Sequence, residues 1–375
     1  MGYDVIVVGG GIIGQAITFR LATAGFRVAL VEAGEPGGQA TRAAAGILSP
    51  AAEAAVTSPL WPLMRESLRL YPEWVTRVEQ HSGIRPELFL DGVLITALES
   101  DAADLARRQE VLRAAGVAAE WWSPTVVADH IPGLAPLHPL ALWIPGEGQI
   151  EAPRWLRALT DAARHFHADQ FWGEPVVQWV TDATGRWIGV KTPRQTLYGE
   201  RMIVATGAWT YQLWSPGLVV KPIRGQVAAL RTATRWTPEV VFFGHGYLVP
   251  KADGRLIIGA TEDDAGYDTR VTLEGIQQLG DIARRFRIDA SHIYWERSWA
   301  GLRPATPDGL PILGPVPGHD EAFLATGHYR NGILLAPVTG ELAALWVEGH
   351  WSEAAVDIRP FRPGRFQDMD DNPRA

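Results

Sequence analysis

The hydrophobic pattern opens with a short apolar run, Val5–Val8, in which no polar residue alternates with the branched ones. Such uninterrupted runs belong to strands buried on both faces, as in a parallel sheet. A glycine turn follows, then Ile12–Thr23 with the length of a helix, stopped by Gly25, and Arg27–Val31 repeats the buried-strand pattern as far as Glu32. The pattern returns at Met202–Ala205, closed by Thr206 and Gly207. It returns once more in Ala322–Gly349, which predicts a strand, a glycine turn and an apolar helix starting near Ile333. Between these pieces the rhythm changes. "LFLDGVLITALE" alternates as a half-buried strand does, and Ala102–Ala115 carries its charges on one side. "QVAALRT", "VVFFGHGYLVP" and "GRLIIGATE" are spaced for an antiparallel sheet, with Leu273–Phe286 as a helix packed on it.

The first glycines, Gly9, Gly11 and Gly14, fit G-x-G-x-x-G between a strand and a helix. The spacing suits a tight turn, close approach of backbone to a pyrophosphate and close helix–strand packing, with the positive end of the helix dipole on the phosphates. Glu32 ends the second strand, where a carboxylate can accept the hydrogen bonds of an adenosine ribose. Strand, glycines, helix, strand and acid in this order predict a dinucleotide site. Because the buried-strand pieces are separated in sequence, the fold class expected is α/β. A discontinuous Rossmann-type domain (residues 1–87, 143–218 and 296–365) holds an inserted, mostly antiparallel α+β substrate domain (88–142 and 219–295), and 366–375 form a flexible tail.

Composition narrows the function. The net charge of −8 and the absence of a basic run argue against a nucleic-acid surface, and 47% hydrophobic with 20% charged residues is a globular profile. With no cysteine there is no disulfide, thiolate metal site, cysteine nucleophile or cysteinyl cofactor link. No H-E-x-x-H pattern suggests a metal. The first strand starts so early that no leader is expected, and no apolar stretch reaches the roughly 20 residues of a membrane span. The expectation is a cytoplasmic protein.

A nicotinamide dehydrogenase would continue with further βα units. Here "GGQATRAAAGILSP", "RMIVATGAW", "AGLRPATPDGLPILG" and "GHYRNGILLAPVTG" follow instead. Together they resemble the FAD-dependent amine oxidases, the family of D-amino-acid oxidase, sarcosine oxidase and glycine oxidase, across essentially the whole chain. The glycine oxidases of thiamine thiazole synthesis are the most similar. The resemblance implies non-covalent FAD, with the last glycine turn and helix closing over the flavin. The helix N-terminus would face the flavin edge where negative charge collects on reduction. Carried onto matching positions, the cofactor contacts are Ile12, Ile13, Glu32, Ala33, Ala40, Thr41, Ala45, Gly46 and Ile47. Val176, Gly207 and Gly301 follow, then the run from His328 through Leu334, with Arg330, Asn331, Gly332 and Ile333 inside it.

The resemblance further implies that Arg303 clamps the substrate carboxylate, for which a guanidinium fork is well shaped. Tyr247 would help through its hydroxyl. Arg330 either contacts substrate as well or only neutralises the flavin edge. His245 and His328 are read as structural, since hydride transfer from a neutral amine needs no base on carbon. The implied activity is oxidation of glycine, with sarcosine and small D-amino acids as further substrates. Glyoxylate, ammonia and, through oxygen, hydrogen peroxide would be the products of a homo-oligomer, a homotetramer by resemblance. "RPxTPDGLPxxG" also suits a D-amino-acid dehydrogenase that passes electrons to a quinone, and sarcosine oxidase is a further alternative. A flavin-binding subunit without a reaction is the reading from another class, against which Tyr247, Arg303 and Arg330 together speak.

Overall fold

The computed structural model describes residues 2–131, 134, 140–213, 220–232, 235–286 and 293–369. Two eight-stranded sheets carry the fold. In the first the order is Ile312–Val316, His319–Thr326, Thr196–Val204, Tyr3–Val8, Val28–Glu32, Asp169–Trp172. Neighbours run parallel except for the hairpin at the Ile312–Val316 edge. Val5, Ile6 and Val7 are fully buried because both faces are covered. Val5 and Val7 meet a layer of four helices, Ile12–Thr23, Leu60–Ser82, Ala152–His165 and Gly332–Glu348. Ile6 and Val8 meet an antiparallel ribbon that adds Trp187 and Val190 to the opposite core.

The second sheet runs Tyr294–Ala305, Lys221–Arg231, Arg255–Gly259, Gly246–Pro250, Val240–Phe243, Val93–Ala97, Leu140–Ile144, Glu120–Trp122. It is antiparallel except where Val240–Phe243 lies parallel to Val93–Ala97, the junction of the two segments expected to be inserted. The α/β class with a mostly antiparallel second sheet is therefore present.

Three local expectations are corrected. Val93–Ala97 does not have a solvent face: Val93, Ile95 and Ala97 enter one core with Leu105 and Leu112, while Leu94 enters another with Leu279 and Phe286. The boundaries drawn at 142/143 and 295/296 fall inside the strands Leu140–Ile144 and Tyr294–Ala305, both of which pair within the second sheet. Residues 366–369 are not tail. Pro363–Met369 is a 3₁₀ segment, Phe366 is buried, and Arg365 pairs with Asp308 at 2.7 Å, which pins the segment to the parallel sheet's edge. Residues 370–375 lie outside the described residues.

Candidate active site

A cavity of about 810 Å³ lies between the C-terminal ends of the parallel strands and one face of the antiparallel sheet. Gly9, Gly11, Ile12, Ile13, Glu32, Ala33, Ala40, Thr41, Ala45, Gly46 and Ile47 line it from the first third of the chain. Val176, Gly207, Gly301, His328, Arg330, Asn331, Gly332 and Ile333 line it from the rest, together with Tyr247 and Arg303. Gly14 and Leu334 do not reach it. A Cβ on Gly14 would stand 1.8 Å from the Gly9 carbonyl oxygen, so its role is to let the helix start press against the glycine turn. Leu334 is turned into the helix layer.

The cavity wall suits a dinucleotide on three counts. Gly9 has a φ of 111°, which glycine alone adopts easily, and a Cβ there would lie 2.4 Å from the Ala205 carbonyl oxygen. The helices Ile12–Thr23 and Gly332–Glu348 both begin at the wall, and neither Gly11 nor Asn331 caps its helix with a side chain. Ile12 gives its N–H to the Thr41 hydroxyl at 3.0 Å, and the other first-turn donors remain available to anionic groups. Glu32 accepts from the Gly10 and Gly34 N–H groups at 2.6 and 2.8 Å, so its carboxylate is held at the end of its strand, where ribose hydroxyls are expected.

The opposite wall is charged. Arg303 rises from Tyr294–Ala305 and lies across Gly225, where a Cβ would be 2.3 Å from the guanidinium carbon. Its only bond to the described residues is to the Thr261 carbonyl at 3.1 Å; no carboxylate there pairs with it. Tyr247 is buried above Gly259, and its hydroxyl bonds to no described protein group. Burial raises the pKa of that hydroxyl while Arg303 and Arg330 pull it down, and the net result is upward, so it stays a donor.

Arg330 differs. It faces Glu53 at 3.4 Å and Glu262 at 3.7 Å. Burial works against its charge, but Glu53 and its other neighbours more than offset this and raise its pKa. Tyr329, next to it, is in the left-handed region with a φ of 46°, and its N–H bonds to the Pro304 carbonyl at 3.0 Å. That bond ties the helix start to the strand bearing Arg303. Burial and then the Glu262 carboxylate push the Tyr329 hydroxyl up to about 12.

His328 is buried, shares a bond with the Thr339 hydroxyl at 3.1 Å and is pushed by burial to about 3, so it is neutral. His245 sits on an exposed turn away from the cavity rather than in a packed position. Sequence reasoning missed Glu53 and Glu262, for which no spacing gave a signal. It also missed Gly225 and Gly259, although a glycine inside a strand marks close approach.

With this geometry in view, residues 4–346 match the family described as FAD dependent oxidoreductase (DAO). The glycine oxidase of Geobacillus kaustophilus is 37% identical over 96% of each chain. A bifunctional ThiO/ThiG protein of Trichormus variabilis is 34% identical over 97% of this chain and 55% of its own length. The crystal structure of glycine oxidase from Geobacillus kaustophilus superposes with a TM-score of 0.90 at 37% identity, covering 97% of this chain and 98% of that one.

Proposed function

The chain belongs to the DAO family of FAD-dependent oxidoreductases and is an FAD-dependent amine oxidase, and from that premise we propose that its substrate is glycine. The observation that carries the reading is Arg303, a half-buried guanidinium on the cavity with a single backbone acceptor and no carboxylate partner among the described residues. Such a group is completed by a ligand carboxylate through two parallel charge-assisted bonds. Tyr247 supplies a second donor close by. Arg330 is already matched by Glu53 and Glu262, so the site has one free clamp, which suits a small monocarboxylate.

FAD, when bound, would supply the acceptor for two electrons and the α-hydrogen, with oxygen as the final oxidant. The chain's own residues position and neutralise. Arg303 and Tyr247 fix the carboxylate and thereby the α-carbon. The uncapped N–H groups at Gly332–Ile333 favour negative charge beside them. His328, neutral and bonded to Thr339, is not placed to take up a proton, so the amine reaches its neutral form by its own titration. Oxidation of glycine by oxygen gives the imine and hydrogen peroxide. Water hydrolyses the imine to glyoxylate and ammonia unless it is taken up by thiazole synthesis, and sarcosine and small D-amino acids are further substrates.

The test is anaerobic addition of glycine to the yellow holoenzyme. Loss of the visible flavin absorbance, and peroxide on admitting oxygen, is the expected result. A spectrum unchanged by glycine, sarcosine and D-alanine would remove the proposal.

A further inference from the structure

The helix Gly332–Glu348, which opens on the cavity, contains Pro337. Proline has no N–H, so the carbonyl four residues earlier, Ile333, loses its helical partner. Ile333 is buried, and a buried carbonyl left alone is costly. The hydroxyl of Tyr71 donates to that carbonyl at 2.5 Å. One rung on, the hydroxyl of Ser67 donates to the Leu334 carbonyl at 2.5 Å and accepts from the Val338 N–H at 3.2 Å. Ser67 and Tyr71 are fully buried, and as neighbours four apart on Leu60–Ser82 they present one face. Trp74 continues that face. Its indole N–H donates to Glu341 at 3.1 Å, and its ring fills the place a side chain at Gly340 would need. Leu60–Ser82 thus splints the interrupted helix along its length.

The two carbonyls served by the splint belong to the first turn of the helix, the turn that lacks a side-chain cap and whose Gly332 and Ile333 line the cavity. We propose that Tyr71 and Ser67 are positioning residues for FAD: by completing the hydrogen bonding that Pro337 disrupts, they hold the first turn where its free N–H groups meet the cofactor. Neither side chain lines the cavity. Without the Tyr71 hydroxyl, the Ile333 carbonyl must find another partner, and the whole first turn tilts with it. The inference rests on the FAD of the family and not on glycine as substrate.

The experiment compares the parent with Tyr71→Phe and Ser67→Ala, measuring the Kd for FAD on apoprotein and the flavin midpoint potential on holoprotein. Tyr71→Phe is expected to weaken FAD binding by roughly threefold to thirtyfold, a lost hydrogen bond to a buried acceptor. It should also lower the potential, because the displaced N–H groups no longer favour the reduced, negative form. Ser67→Ala moves both in the same direction by less. Adding Pro337→Ala to Tyr71→Phe gives the Ile333 carbonyl a helical N–H and is expected to recover most of the lost affinity. A Tyr71→Phe protein that melts earlier but keeps the parent's Kd and potential would show a purely structural tyrosine and overturn the proposal, as would a loss that Pro337→Ala leaves untouched. Should Tyr71→Phe not fold, Ser67→Ala is judged by the same Kd and potential. No substrate enters these measurements, so their failure leaves the glycine reading standing, and the reverse holds too.

Discussion

The two sheets meet the cavity with different chemistry. The parallel sheet offers backbone: a glycine turn, two helix starts, and one carboxylate, Glu32, itself held by backbone N–H groups. The antiparallel sheet offers side chains, Arg303 and Tyr247, each seated against a glycine of the adjoining strand. Backbone donors in a fixed turn recognise phosphate charge, which is the same in every dinucleotide, so that wall is generic. Side chains on strands can be exchanged without altering the ladder, so the other wall can set which small molecule is gripped.

The contrast is broken most severely at Arg303. Arg303→Ala is expected to leave a folded, FAD-loaded protein whose kcat/KM for glycine falls by roughly 30-fold to several-thousand-fold, the range for stripping one partner from a desolvated charge pair. Arg303→Lys recovers only part, since a point charge lacks the planar fork. Steady-state kinetics at matched flavin content decide this, and activity within threefold of the parent would place the clamp elsewhere.

Gly225→Ala asks whether the seat matters as much as the clamp. Its Cβ would stand 2.3 Å from the guanidinium carbon and must push it aside. A displaced positioning group costs up to about a hundredfold, and a loss of about tenfold to a hundredfold in kcat/KM is expected with the Kd for FAD unchanged. A parallel loss of FAD would show that the two walls are not separable.

Glu32→Ala is the reciprocal change. FAD affinity should fall by about tenfold or more, the weight of a charged hydrogen bond, while turnover at saturating FAD stays near the parent. Equal FAD affinity in a cofactor titration would remove Glu32 from the site.

The smallest effect lies at the seam. Glu147 follows the strand Leu140–Ile144 and holds the Ser49 hydroxyl and the Ala51 N–H, at the start of the short helix that carries Glu53. Burial raises its pKa to about 7, against the pull of Ser49, Ala51, Arg65 and Arg108. Between its unfolded value, about 4.3, and its folded value of about 7, the native carboxyl keeps a proton that the unfolded chain has released. Stability from this group is therefore complete below that window and is lost as pH rises through about 7. Glu147→Gln cannot lose the proton. Its melting temperature should gain on the parent's between pH 5 and pH 8, by a few degrees; a constant difference across that range would refute the assignment.

How far the sequence was legible follows the same division. The glycine turn, Glu32 and the helix Ile12–Thr23 could be read directly, because each depends on neighbours close in the chain. The grip of Arg303 and Tyr247 required a family resemblance, since strand register and not spacing brings them to one cavity. Whether Arg330 is free could not be read at all. Glu53 and Glu262, which pair with it, come from distant segments. Leu60–Ser82 and Ala152–His165 were also missed. The first contains Pro72, which reads as a breaker in isolation and is tolerated here inside a helix packed along its length.

The packing of Gly332–Glu348 on Ile12–Thr23 has a consequence for synthesis. The glycine turn and its helix leave the ribosome early, yet the helix that completes the cradle follows only after both segments of the antiparallel sheet have been made. Until then the face of Ile12–Thr23 that carries Ile12 and Ala16, set against Gly332 and Gly340 in the finished protein, lacks its covering helix, and the nascent chain presents apolar surface there. Partly folded chains with such faces aggregate at the concentrations at which they are made. The cradle lined by Gly332 and Ile333 is complete only after translation has passed that helix start.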